Sequence, residues 1–195
     1  MLILRLLVAA PMTAALIACS QQPAEGPRPA PAPAPAHGSA GATQKVAFTA
    51  PPGWIPRTPS SSMRQAEYTL PKTDGDPEDA ELVVYYFGGQ GGSVQANVDR
   101  WIGQFKKPDG SPVGDSAKVS RKQSHGIPLT IVDCSGTYSG GGPMMGSAAA
   151  KPNFRMIAAV AEASSGPWFF KLTGPARTVA KWEPSFNSFL ETIHQ

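Results

Sequence analysis

Two thiols, three histidines, a run of glycines and one methionine pair are the residues whose chemistry could define this chain. Cys19 closes a short apolar stretch in the order Leu16-Ile17-Ala18-Cys19, and the thiol there is the first candidate for modification. Cys134 ends the segment Leu129-Thr130-Ile131-Val132-Asp133-Cys134, which reads as a strand, so it is expected to be a small buried residue. A reactive thiol needs an accessible, electropositive setting, and no CxxC motif supplies one. Gly88-Gly89-Gln90-Gly91-Gly92 leads into Ser93 and invites comparison with a phosphate loop, because helix N-termini attract anions. It lacks the Gly-Lys-Ser/Thr of a P-loop and does not complete GxGxxG, which leaves a flexible connection. His125, Asp133 and a serine could form a hydrolase site, but there is no GxSxG and His125 stands beside Gly126 in a turn. Three scattered histidines and one thiol make no metal-ligand spacing. Met144-Met145 sits in a long glycine-rich loop, Ser139 to Pro152, and is the candidate binding element, since methionines give adaptable contact surfaces. No catalytic residue, metal or cofactor is expected, and the chain is not expected to be an enzyme.

The first 19 residues carry one basic residue, Arg5, then an apolar run over residues 6–18 interrupted by Pro11. That run is shorter than the roughly 20 residues of a membrane-spanning helix. A basic start, a short apolar core and small residues before the end have the form of a secretory signal. With a cysteine at its end, the segment resembles the bacterial lipoprotein signal. The resemblance implies cleavage before Cys19, a diacylglycerol (palmitate-type) anchor on its sulfur, and a place on the extracytoplasmic side of the membrane. Ser20 and Gln21 follow, with no Asp to argue for retention at an inner membrane, so in a Gram-negative host the periplasmic face of the outer membrane is the expected address. One acyl chain anchors only marginally, and two or three hold effectively for good.

Residues 19–44 then read as a disordered tether. Pro27, Pro29, Pro31, Pro33 and Pro35 alternate mainly with alanine, and aromatic residues are missing. Such a segment cannot bury enough surface to offset the entropy of ordering. Pro-Ala alternation favours polyproline II, which would extend the 25 residues after Cys19 to roughly 75 Å at about 3.1 Å per residue. Residues 45–195 are long enough for a single domain with a sizeable core. Arg5, Arg28 and Glu25 lie before it, so of 17 basic and 14 acidic residues 15 and 13 remain, a net charge of +2. Nucleic-acid binding calls for a clustered cationic face, and Lys106-Lys107 and Arg121-Lys122 are isolated pairs. With Cys19 acylated, Cys134 has no partner for a disulfide.

The pattern of the domain predicts strands at Val46–Thr49, Ala66–Leu70 and Glu81–Phe87, the last rich in Val and Tyr. Ser93 is a good N-cap, and Val94, Val98, Trp101, Ile102 and Phe105 fall on one helical face ending before Pro108. Strands follow at Ala117–Ser124 and Ile127–Tyr138, joined through His125-Gly126 as a hairpin, and at Phe154–Ala163 and Trp168–Thr173. Pro175 opens a C-terminal helical stretch that Pro184 should break, or restart from its first turn. Phe186, Phe189, Leu190 and Ile193 form its buried stripe. The expected fold is α+β: an antiparallel sheet of about six to seven strands with helices packed on it.

A tryptophan after the first strand, the Val/Tyr strand before a glycine-linked helix, two hairpins and a C-terminal helix with Trp182, Phe186 and Phe189 together resemble the PsbP-like superfamily, which also includes the Mog proteins. The resemblance implies an α/β/α sandwich and a non-enzymatic partner-binding role, and it assigns no functional residue. The expected function is a membrane-anchored, extracytoplasmic, non-enzymatic binding module for an unknown protein or envelope component, with a small-ligand carrier as the alternative and a hydrolase as the third reading.

Overall fold

The computed structural model describes residues 45–140 and 149–195. Cys19, the signal and tether around it, and Met144 and Met145 lie outside the described residues. Eight strands form one antiparallel sheet: β1 (Ile55–Arg57), β2 (Arg64–Leu70), β3 (Ala80–Tyr86), β4 (Phe105–Lys106), β5 (Lys118–Ser124), β6 (Ile127–Tyr138), β7 (Lys151–Ala163) and β8 (Gly166–Pro175). Their order is β1-β2-β3-β8-β7-β6-β4, with β5 also paired to β6. Helix α1 (Val94–Ile102) follows β3 and α2 (Ala176–Glu191) follows β8. The expected antiparallel sheet with helices on it is what forms, with eight strands where the sequence predicts about six to seven.

Side chains alternate between the faces of a strand, and the two faces of the central strands feed two separate cores. Leu82, Leu129, Ile157, Phe170 and Leu172 pack with Val179, Phe186, Phe189 and Leu190 of α2. Val132, Cys134, Met156, Val160 and Phe169 pack with Val98 and Trp101 of α1 and with Phe105. One helix therefore covers each face. The continuous apolar runs in β6, β7 and β8 follow from burial on both sides. The hairpin turn falls where expected: His125 and Gly126 both take positive φ, 46° and 82°, as a two-residue turn with right-handed strand twist demands.

Several elements differ from the sequence expectation. Val46–Thr49 is not a strand of the sheet. Its backbone makes one isolated bridge, Ala47 with His194, while Phe48 meets Phe170 and Phe189 edge-on at 5.7 and 5.4 Å. The segment is an apolar flap on the α2 side, held by its side chains. The first strand is instead Ile55–Arg57, exposed along its length. Helix α1 ends at Ile102, capped by Gly103, and Phe105 enters the two-residue strand β4 opposite Tyr138. Phe105 keeps its predicted burial by another route. The last hairpin is longer than expected at both ends, with β7 starting at Lys151 and β8 running from Gly166 to Pro175. Pro184 neither breaks nor restarts α2 but sits inside it. Proline in a helix interior costs about 3 kcal/mol, and burial of Val179, Phe186, Phe189 and Leu190 on the sheet offsets that, at roughly 1.5–3 kcal/mol for each large apolar side chain.

Candidate functional site

β8 runs through the middle of the sheet, between β3 and β7, as Trp168-Phe169-Phe170-Lys171-Leu172-Thr173. Alternation sends Trp168, Phe170 and Leu172 to the α2 core and Phe169, Lys171 and Thr173 to the α1 side. A lysine is thereby placed on a largely covered face of a central strand, opposite Val83 of β3 and Ala158 of β7. Its ammonium donates to Gln104 Oε1 at 2.8 Å, on the turn after α1, and to the Tyr138 hydroxyl at 3.2 Å, at the end of β6. It also stands 5.2 Å from the centre of the Tyr138 ring. Both acceptors are neutral, and no carboxylate lies within ion-pair distance of Lys171 among the described residues. Burial, helped by the charge of Arg100, pushes the Lys171 ammonium down to about 8, with Cys134 and Glu81 acting weakly against it.

The surroundings are aromatic and polar. Tyr138 stacks on Phe154 at 6.0 Å and leans on Phe105 at 5.0 Å. Burial raises its phenol above the usual range, reinforced by Tyr85, Glu81 and Cys134. Gly140 lies so close to the Tyr138 ring that a Cβ there would meet its Cζ and hydroxyl at 2.6 Å. In the next row of the same face, Thr173 carries a buried hydroxyl without a hydrogen-bond partner. Farther along the face, Arg64 stands over the Tyr85 ring at 5.5 Å and bonds Glu67 at 3.0 Å. Burial would raise the Glu67 carboxyl, but hydrogen bonds from the Ser60 amide at 2.7 Å and hydroxyl at 2.9 Å, together with Arg64, hold it below its ordinary value. The result is a polar strip across β2, β3 and β8, bordered by α1 and by Tyr138 and Gly140.

The groups singled out from sequence fare differently. Cys134 is buried, and desolvation, with the charge of Asp133, pushes its thiol up to about 12, an inert state as expected. Asp133 is clasped by Arg155. Ser124 and His125 are turned to the C-terminal end: the Ser124 hydroxyl lies 2.9 and 2.8 Å from the carbonyls of Glu191 and Ile193, and His125 Nδ1 lies 3.1 Å from Ile193 O. Asp133 is about six residues farther along β6 than that turn, roughly 20 Å at strand rise, so the imagined triad is not assembled. The Gly88–Gly92 segment packs closely: a Cβ on Gly91 would collide with the Phe169 ring. Ser93 caps α1 by accepting from the Ala96 amide at 3.2 Å, as read.

Lys171 was not singled out by motif or spacing. Its signal is a lone cation inside a strand, flanked directly by Phe170 and Leu172. That pattern reads as costly unless the face beneath it is polar, and nothing local says which face is so.

No protein-family model matches this chain, and comparison with curated proteins finds no match. Two solved structures share part of its arrangement. A Pseudomonas aeruginosa protein of unknown function is 14% identical, over 66% of this chain and 81% of its own, with a TM-score of 0.43. The cyanobacterial PsbP of Synechocystis is 12% identical, over 76% of this chain and 85% of its own, with a TM-score of 0.45.

Proposed function

We propose that this chain is a lipid-anchored, extracytoplasmic binding module that performs no chemistry of its own, held at Cys19 and contacting a partner in the cell envelope through the Lys171 strip. The anchor rests on Leu16-Ile17-Ala18-Cys19 behind a short apolar run. The binding role rests on one observation above the others: Lys171 is desolvated on a central strand without a carboxylate to balance it. Stability alone disfavours such a placement, and strongly perturbed groups gather where function requires them. An anionic or carbonyl group on a partner would complete its coordination beside Tyr138 and the free hydroxyl of Thr173. The groups a hydrolase would recruit are engaged in structure instead, Asp133 with Arg155 and His125 with the Ile193 carbonyl. A small-ligand carrier would need a cavity between sheet and helix. Two surface depressions, about 370 and 380 Å³, lie along Arg121, Pro128 and Glu162 and beside Tyr86 and Trp168, and neither is lined by a residue of α1 or α2.

Two measurements test this reading. Cys19→Ala should move the protein from the membrane to the soluble extracytoplasmic fraction, and unchanged partition with membranes would refute the anchor. Cross-linking in intact cells should capture an envelope partner with the native chain and lose it with Lys171→Met. Capture unaffected by that change would remove Lys171 from the interface.

A further inference from the structure

Among the described residues, one edge of the sheet is left open. β5 pairs with β6 on one side only, over all seven residues, and six of those seven are exposed. Ser124 and Ile127 flank the two-residue turn, so they exchange both ladder hydrogen bonds, and every second pair does the same. The inward-bonded residues are therefore Ser124, Lys122, Ser120 and Lys118. Val119, Arg121 and Gln123 turn their N–H and C=O groups outward, away from β6. Such an edge is a template for another strand.

Its side chains say which strand. Lys118 and Lys122 lie on one face, in register with Asp133 and Leu129. Val119 and Arg121 lie on the other, in register with Val132 and Thr130, and Val119 is 52% exposed. The depression of about 370 Å³ lies beside them, lined by Arg121, Gln123 and Pro128, with Glu162 at its far side. Among the described residues, none of Lys118, Arg121 and Lys122 pairs with a carboxylate. Charges on an edge normally prevent self-association. Here an antiparallel second copy centred on Arg121 would set arginine against arginine, and like charges directly opposite are destabilising. The same cations attract carboxylates.

We infer that β5 accepts an extended protein segment by strand addition, and that the segment alternates acidic with apolar residues. Its acidic side chains stand opposite Lys118 and Lys122, and its apolar ones cover Val119 and enter the depression. Main-chain bonds to Val119, Arg121 and Gln123 supply affinity, and the alternating side chains supply selection. This rests on the reading of the chain as a binding module, but it concerns a surface remote in sequence from Lys171.

The test uses the full chain in neutral detergent and an end-blocked eight-residue peptide of alternating glutamate and valine, with binding followed by fluorescence anisotropy. Binding should weaken at least tenfold when Lys118 and Lys122 are changed to Gln, and at least tenfold when the peptide carries N-methyl groups on its strand-pairing amides. The N-methylated probe leaves the protein untouched, so a folding defect cannot imitate the result. Val119→Pro, which removes an outward N–H and keeps every charge, should weaken binding likewise. Equal binding of the N-methylated peptide would reduce the contact to charge attraction and overturn strand addition. Equal binding of the lysine–valine counterpart would overturn the selection for acid. Displacement of the peptide by phosphatidylglycerol vesicles would assign the edge to a lipid surface, and a dimer abolished by Val119→Pro would assign it to a second copy; either overturns the proposal. No binding at all overturns it too, while cellular capture through Lys171 would still stand or fall separately.

Discussion

The Arg155 guanidinium on β7 holds the Asp133 carboxylate of β6 through two hydrogen bonds of 2.8 Å and turns its remaining nitrogen to Glu183 of α2, also at 2.8 Å. Paired donors on one planar group match the two oxygens of a carboxylate, which makes this contact stronger than an ordinary surface ion pair. It also fastens the middle of α2 to the sheet beside Pro184.

Arg155→Met should therefore leave two carboxylates near each other with no cation between them. Solvent reaches Glu183, so most of the loss comes from Asp133. The expected cost is about 2 kcal/mol, within the range for hydrogen bonds to charged groups. For a domain of this size that lowers the melting temperature by about 4–8 °C, read by calorimetry. A variant melting within a degree of the native protein would show that the clasp adds nothing net.

Lys171 makes stability depend on pH in a defined direction. Its folded value is depressed to about 8, against an ordinary 10.5. Between those values the unfolded chain binds the proton and the folded one does not, so this residue makes stability rise with pH from about 8 to 10.5. Below 8 the folded protein carries the whole cost of a poorly solvated ammonium. Lys171→Met should be the more stable protein at pH 7, by up to about 3 kcal/mol, with the gap closing toward pH 10. Urea titrations of both proteins at the two pH values measure it. A gap that stays constant or widens with pH contradicts the assignment.

Pro184 has no N–H for the Ala180 carbonyl, the i−4 acceptor that an unbroken α2 would use. Pro184→Ala should restore that bond and stabilise the domain by up to about 3 kcal/mol, seen as a higher urea midpoint at unchanged slope. No gain, or a loss, would mean that the ring itself packs against its surroundings.

How far this structure could be read from the chain depended on how local each signal was. The β5–β6 hairpin was legible because His125-Gly126 supplies a left-handed pair between two runs of strand residues, all within one turn. The stripe of Phe186, Phe189 and Leu190 was legible for the same reason. Val46–Thr49 misled because its apolar residues serve a flap whose partners lie at the other end of the sequence. Phe105 misled because its spacing continued a helix that Gly103 stops. Pro184 misled because tertiary burial outweighs the local cost. Lys171 was legible only as an interruption: its meaning depends on Gln104, Tyr138 and Arg100, brought together by pairing that no short window contains.

The Ala47–His194 bridge has a mechanical consequence. Its two backbone hydrogen bonds, 2.8 Å from the Ala47 amide to His194 and 3.0 Å in return, tie the beginning of the domain to its end. If the chain is held at Cys19, tension on the domain enters at Lys45 and meets this clamp first. The clamp is one bridge wide, backed by Val46 and Phe48 on the α2 core, by the Thr49 amide on Thr192 Oγ1 and by His194 against His125, so a pull loads this flap before the central strands of the sheet. Under the proposed anchoring the domain would thus lengthen by a few residues under load while the pairing of its central strands stays intact, a shock absorber between tether and sheet.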